Sequence, residues 1–252
     1  MDMQQTLKLI RGRYSERGAF DANRPVAKSD LMMILEAARW APTPNNMQNF
    51  EIVVVDDKQQ LEAIGKIPAY MSEDFLRENY AEIVFTEEEL RIRKRGMLAS
   101  MFPPAWTNPQ AWEPDSDYRS QLTFLGRAVQ ENPLLLVVLY DGSKRAPGSE
   151  RDLPGHIGLG CVMENMWLMS EALGIGFRVL TVFSDSPVER EVKKVLHAPT
   201  QMKVAFACAL GYPVAPSNGA HARVRRDLED FVYSNEYGRK DPELESALSD
   251  VV

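Results

Sequence analysis

The sequence predicts a mixed α and β protein built as one large domain. Short runs of β-branched and aliphatic residues alternate along it with longer stretches of helical periodicity. One of the short runs, Leu134-Leu135-Leu136-Val137-Val138-Leu139, is apolar without interruption, the pattern of a central strand covered on both faces. A chain of 252 residues can bury a substantial core as one unit. It has no internal repeat and no low-complexity tract.

The first helix is expected at about 2–12, around Leu7-Lys8-Leu9-Ile10. A second, at 28–39, carries Leu31, Ile34, Leu35 and Ala38 on one face, with Ser29 as its expected N-cap. Pro42 and Pro44 end it, since each lacks an amide donor and restricts the residue before it. A strand at Ile52–Val55 and a helix at 57–65 follow. A helix at 71–99 is expected from charge that includes Glu73, Asp74, Arg77, Glu78, Glu87, Glu88, Glu89, Arg91 and Arg93, read as a solvated face. Next come a helix at 117–129, the strand Leu134–Tyr140, a helix at 156–173 and a strand at Arg178–Phe183. The last elements are a helix at 187–196, with Ser186 as N-cap and Pro187 at its first position, and a strand at Val204–Leu210.

Composition narrows the function. The 29 basic residues against 36 acidic ones leave a net charge of −7, which argues against nucleic acid or an anionic membrane as the main partner. Cys161 and Cys208 both lie in apolar segments and read as buried thiols of a reducing cytosol, neither a disulfide nor a metal pair. No segment has the length and apolar purity of a membrane span, and the N-terminus lacks the form of a signal peptide. A cytoplasmic protein is expected. His156, His197 and His221 are scattered, and the nucleophile-elbow and P-loop patterns are absent, so no metal site and no protein nucleophile is expected.

Two segments carry ligand chemistry. Arg13-Tyr14-Ser15-Glu16-Arg17 places two guanidiniums and a hydroxyl just after the first helix, a donor set that suits a phosphate dianion; a solvated helix end is the plain alternative. Pro42-Thr43-Pro44-Asn45-Asn46-Met47-Gln48-Asn49 crowds carboxamides into a helix-to-strand loop, where a turn accounts for the Asn residues but not for Gln48. Residues 156–173 are apolar nearly all round and must be buried on most sides, in a core or at a subunit interface. Gly155-x-x-Gly158-x-Gly160 follows the loop Asp152-Leu153-Pro154, where a dinucleotide fingerprint needs a strand, so it is not one.

Arg13-x-Ser15, then a helix, then Pro42-Thr43-Pro44-Asn45-Asn46-Met47-Gln48 leading into a strand, resembles the N-terminal signature of the nitroreductase family of FMN-dependent oxidoreductases. The resemblance continues through the turn Gly174-Ile175-Gly176 and through Gly211-Tyr212-Pro213, a variable loop and the basic cluster Arg223–Arg226; about 70–125 matches poorly. It implies an α+β fold in three α-β-α layers, with a central, mostly antiparallel sheet, in a domain-entwined homodimer with FMN sites at the subunit interface. Residues 1–252 would form one FMN-binding domain with a substrate-lid insertion at about 70–125 and a C-terminal arm at about 228–252. The helix at 156–173 would lie along the dimer axis.

By the same resemblance the cofactor-binding residues are Arg13, Tyr14, Ser15, Arg17, Pro42, Thr43, Pro44, Asn46, Gln48, Arg223 and Arg225, together with Leu180, Thr181 and Val182. One of those last three would supply the backbone amide to flavin N5, a place where the family often has Gly or Glu. Arg225, then Arg223, is the choice for the FMN phosphate, and Arg13 or Arg17 for the cation near flavin N1. Tyr70, Phe102, Trp106 and Trp112 are the substrate candidates, on a Pro-interrupted loop that either stacks planar substrates or packs on its own body. The implied reaction is ping-pong: NAD(P)H as co-substrate reduces bound FMN, which then reduces a small, electron-poor, aromatic acceptor such as a nitroaromatic or a quinone. Two other readings remain: a specialised flavoprotein of the same fold, flavin-fragmenting or reductive dehalogenase in type, and a flavin-binding protein without turnover.

Overall fold

The structure is a computed structural model, and it describes residues 2–69, 80, 82–102, 129, 134–184, 186–215 and 223–243. The chain separates into two compact units, residues 1–70 with 117–218, and residues 71–116 with 219–252.

In the first unit the helices are α1 (Met3–Gly12), α2 (Lys28–Arg39) and α3 (Lys58–Gly65). Asp2 caps α1 through its carboxylate and Asp57 caps α3 in the same way, each satisfying an amide that the helix cannot. Ser29 is not the cap of α2. Ala27 holds that position, and Leu31 N–H donates to its carbonyl (3.0 Å), so the helix begins before the serine.

The second unit contains the helix α4 (Glu87–Arg93) between the two-residue strands β2 (Val84–Phe85) and β3 (Met97–Leu98), which pair in parallel. The continuous helix expected at 71–99 is therefore broken within its described part. A capping box between Thr86 and Glu89 starts α4, and Lys94 ends it with a left-handed backbone. Gly96 then turns the chain at φ 96°, where a Cβ would stand 2.5 Å from the Ile83 carbonyl oxygen. Glu87, Glu88, Glu89, Arg91 and Arg93 do line a solvated face, and Glu87 pairs with Arg91 across one turn. Glu73, Asp74, Arg77, Glu78 and most of the helix expected at 117–129 lie outside the described residues.

The first unit is organised by a four-stranded antiparallel sheet in the order β1-β4-β6-β5, with β1 (Glu51–Val55), β4 (Leu134–Asp141), β5 (Gly176–Leu180) and β6 (Met202–Gly211). The apolar run is its central strand, in register with β1 at Val53↔Val137 and with β6 at Val137↔Ala207. Alternate residues go to opposite faces. Leu135, Val137 and Leu139 meet Leu61 and Ile64 of α3 with Val188 and Val192 of α6 (Ser186–Val195). Leu134, Leu136 and Val138 meet Ile34 and Ala38 of α2 with Val162 and Met166 of α5 (Leu153–Ala172). These are the three expected layers. Each fully buried aliphatic contributes roughly 1.5–3 kcal/mol by leaving water.

A register shift between Val138 and Leu139 inserts Ala205 as an unpaired residue in β6, so Val204 and Phe206 face opposite layers. Three smaller expectations change. The strand expected at Arg178–Phe183 begins earlier, at Gly176, and ends at Leu180; Thr181–Ser184 turns into a single 3-10 helix. Pro154 sits in the first turn of α5 and not in a loop before it, a position where its missing amide leaves no bond unmade. Ser186 is the first residue of α6, not its cap. Cys208 is buried and Cys161 half-buried, and both are free thiols; burial pushes the Cys208 thiol far up.

Helix α5 is apolar on every side yet not wholly covered by its own chain: Leu153 is 65 % and Ile157 58 % exposed. No helix among the described residues is long and apolar enough to cross a membrane.

Candidate functional site

Arg13 is the residue at which α1 stops. Its amide still bonds Leu9 O (3.1 Å), while its backbone has become extended. The half-buried guanidinium lies 4.4 Å over the Trp167 ring of α5, with Nε 3.0 Å from a carboxylate oxygen of Glu164. Trp167 in turn donates its indole N–H to Tyr14 O (3.0 Å) and stacks on Phe177 of β5, with ring centroids 5.2 Å apart. One aromatic side chain thus shapes both ends of the dipeptide Arg13-Tyr14.

The rest of the run folds around Glu16, a carboxylate with no solvent exposure. A buried carboxylate is costly unless its oxygens are satisfied. Glu16 accepts from the Tyr14 hydroxyl (2.9 Å) and from Gly18 N–H (2.6 Å). Its own N–H donates to Phe177 O (2.9 Å), which fastens the run to the edge of β5. Ser15 is half-buried and Arg17 exposed. Tyr14, expected as a cofactor contact, is half-buried and directs its hydroxyl to Glu16.

The carboxamide loop rests on α5 by another route. Pro44–Asn46 forms a single 3-10 turn, and Asn45, Asn46 and Gln48 take left-handed backbones at φ 51°, 54° and 47°. Asn tolerates that region; Gln does so only under constraint. The constraint is visible: Gln48 N–H donates to Thr43 Oγ1 (3.1 Å), and the Gln48 side-chain amide donates to Asn46 Oδ1 (3.1 Å). Asn49 exchanges two 3.1 Å bonds with the backbone of Asp141 at the end of β4. Gly158 makes room for the loop, since a Cβ there would meet Pro44 Cδ at 3.2 Å and Pro42 O at 3.5 Å. Pro42, Asn46 and Gln48 are exposed; Thr43 and Pro44 are half-buried.

A small pocket, with room for little more than a water molecule, lies beside the loop among Thr43, Met47, Asn49, Phe50, Tyr140 and Asp152. Burial, then the nearby Glu189 and Asp152 carboxylates, push the Tyr140 phenol up, so it stays a neutral donor there.

Helix geometry separates the run from the loop. Gly158 beneath the loop and Trp167 beneath the run are nine residues apart, which is two and a half turns, so the two segments meet opposite faces of α5 about 13 Å apart along its axis. Leu180, Thr181 and Val182 lie where β5 passes into the 3-10 turn. Leu180 is buried, Val182 half-buried and Thr181 exposed. They follow the residues that hold the run, Phe177 and Arg178, by only a few positions.

In the second unit Arg223 and Arg225 are exposed, and Arg225 donates to Val224 O (2.7 Å). Arg226 lies 5.1 Å over the Phe231 ring, and Lys94 pairs with Asp227. Phe102 is half-buried and packs edge-on against Tyr80 at 5.1 Å. Tyr70, Trp106 and Trp112 lie outside the described residues. Among the described residues no three His, Cys, Asp or Glu side chains are grouped to hold a metal ion.

Sequence reading missed Glu16, Glu164, Trp167, Gly158 and Arg178. One signal was available for Arg178: a lone charge inside Gly176-Phe177-Arg178-Val179-Leu180, an otherwise apolar strand, has to find a partner.

The profile of the nitroreductase family matches residues 10–212. The chain belongs to that family, and membership supports a flavin-using oxidoreductase as the general class of activity. Solved structures agree on the fold. Nitroreductase A from Vibrio parahaemolyticus superposes with a TM-score of 0.60 at 18% identity, over 99% of this chain and 83% of that one. A nitroreductase with bound FMN from Bacteroides fragilis gives 0.54 at 21% identity, over 92% and 99%. An NADPH:FMN oxidoreductase from Vibrio harveyi, complexed with NAD+, gives 0.57 at 18% identity, over 98% and 84%. A search of curated proteins gave no match.

Proposed function

We propose that the protein is an FMN-dependent oxidoreductase that takes hydride from NAD(P)H and delivers it to an electron-poor acceptor such as a nitroaromatic or a quinone. The observation that carries this reading is the attachment of the Arg13–Arg17 run to β5, just ahead of Leu180-Thr181-Val182. It fastens a phosphate-type donor set to the strand whose end the sequence resemblance puts beside the flavin ring. The donor chemistry fits FMN: the Arg13 guanidinium is pre-aligned by Glu164 and Trp167, and Ser15 stands two residues on. The FMN and NAD+ present in two similar structures support the same pairing of cofactor and co-substrate.

Arg13 and Ser15 hold the phosphate in this reading, with Arg17 beside them and Arg223 and Arg225 as further partners on the sequence resemblance alone. The backbone at Leu180–Val182 borders the ring, and Asn46 and Gln48 offer carboxamides to its polar edge. When bound, FMN supplies the redox chemistry, accepting hydride in one half-reaction and giving it up in the next. The protein supplies orientation, electrostatics and exclusion of water; no side-chain nucleophile is required. Phe102, Tyr70, Trp106 and Trp112 are proposed to select planar acceptors, and the free thiols fit a cytoplasmic setting.

The same reading makes the protein a homodimer. Within one chain the run and the carboxamide loop meet opposite faces of α5, so they do not converge on one ligand. Pairing two copies along α5 would bring the run of one to the loop of the other and would cover Leu153 and Ile157. Two experiments test this. Arg13→Ala and Ser15→Ala should each weaken FMN retention, and unchanged affinity in both rejects their phosphate role. Mixing Arg13→Ala with Gln48→Ala protein under subunit exchange should restore flavin binding to one site per mixed dimer, and no restoration rejects the shared site.

A further inference from the structure

Two side chains that make no part of the proposed flavin contact decide the shape of the phosphate-type run. The first is Glu16, one of only two fully buried polar side chains among the described residues. At a solvated helix end a glutamate would point outward. Here it points in, and its two oxygens accept from both ends of a five-residue loop, Tyr14 Oη on one side and Gly18 N on the other. The second is Arg178 of β5. Its Nε donates to Glu16 O (2.8 Å) and its Nη2 to Gly18 O, while the guanidinium plane lies 5.0 Å over the Phe20 ring.

One strand side chain therefore holds two carbonyls of the run, and Glu16 N–H to Phe177 O adds a third link to the same strand. Gly176 makes this possible, because a Cβ there would stand 3.0 Å from Glu16 Cγ and 2.6 Å from Phe20 Cε1. Arg178 is two residues before Leu180, so it sits between the phosphate-type donors and the strand end proposed for the ring.

We infer that Glu16 and Arg178 are positioning residues that preset the Arg13–Ser15 donors for the phosphate group of FMN. The inference rests on the flavin reading above and specifies which residues organise that end of the site. Preset donors bind an anion without the entropy cost of ordering the loop at the moment of binding. Arginine is needed at 178 because two diverging carbonyls require a planar fork with more than one donor, and a lysine ammonium can match the charge but not that geometry.

FMN and riboflavin differ only in the phosphate, so the ratio of their dissociation constants isolates this end of the site. Both are measured by flavin-fluorescence titration of full-length wild type, Glu16→Ala, Glu16→Gln, Arg178→Lys and Arg178→Met, with unfolding midpoints as the fold control. The expected result is that Glu16→Ala and Arg178→Met cut the preference for FMN by about tenfold or more, with riboflavin affinity held. Glu16→Gln, which keeps the shape and one acceptor, should restore most of the preference, and Arg178→Lys should restore part of it. If Arg178→Met does not fold, Arg178→Lys and the glutamate pair carry the test. Parallel loss of both flavins, or no loss of either, makes these residues plain scaffold and overturns the inference. Wild type that binds both flavins equally overturns it while leaving the flavin reading intact; wild type that binds neither removes both.

Discussion

The run at 13–18 and the loop at 42–48 are both irregular segments resting on α5, but they are held in opposite ways. The run is fixed from inside: its own buried carboxylate takes two of its donors, a two-pronged guanidinium two of its carbonyls, and an indole and a strand edge one group each. The loop is held only by short-range bonds of its own, Gln48 N–H to Thr43 Oγ1 and the Gln48 amide to Asn46 Oδ1, with three left-handed residues in four positions and both carboxamides exposed. A segment satisfied by its own fold is ready for a small anion without rearrangement. A strained segment whose carboxamides are exposed, and bonded only to each other, can turn their remaining donors and acceptors to a ligand that arrives.

The largest effect should come from closing the space the run occupies. Gly176→Val would press into Phe20 and Glu16 and should cost about 1–3 kcal/mol in urea unfolding, with FMN affinity falling as well. A neutral result would mean that the run is not packed against β5 as described. Arg13→Ala should next lower FMN affinity by about tenfold or more with little change in the urea midpoint, because its side chain and that of its partner Glu164 both remain partly exposed. A change confined to the midpoint would make Arg13 a structural residue.

At the loop the signs should differ. Gln48→Gly relieves a left-handed backbone, so stability should hold or rise by a few tenths of a kcal/mol while flavin retention falls. Stability falling by more than about 1 kcal/mol would show that the loop, like the run, is locked by its side chains.

The smallest effect is a pH dependence where Tyr212 meets α2. Burial, then the hydrogen bond to Asp30 and its charge, raise the Tyr212 phenol. A raised value in the fold means a contribution present below the ordinary tyrosine value of about 10 and lost as pH climbs through the raised one. The melting temperature should fall as pH rises above about 10, and less steeply in Tyr212→Phe. Equal slopes would detach Tyr212 from that window.

The layers were legible because periodicity reports burial directly. Leu134–Leu139 reads as a doubly covered strand, and Leu31, Ile34, Leu35 and Ala38 read as one helix face. The break in the helix expected at 71–99 was only partly so: Thr86-x-x-Glu89 carries a capping-box pattern, but the turn after α4 shows only in the backbone at Lys94 and Gly96. The site divides in the same way. Arg13, Ser15 and the carboxamides announce themselves by residue type. Glu16 does not, because a Glu in a charged pentapeptide reads as solvated until Phe177, Gly18 and Gly176 are seen to enclose it, while Arg178 shows only as a lone charge in an apolar strand with no partner named. The opposite faces of α5 beneath run and loop also follow only from contacts, since spacing alone does not show which residues meet the helix.

The central claim is flavin-borne hydride transfer from a nicotinamide, and a visible spectrum of the purified, FMN-reconstituted protein followed by anaerobic titration with NADH and with NADPH tests it most directly. The account predicts a yellow protein whose flavin absorbance bleaches with at least one nicotinamide and recovers on adding a nitroaromatic or a quinone. A protein that stays colourless with FMN, or a yellow one that neither nicotinamide bleaches, would contradict it.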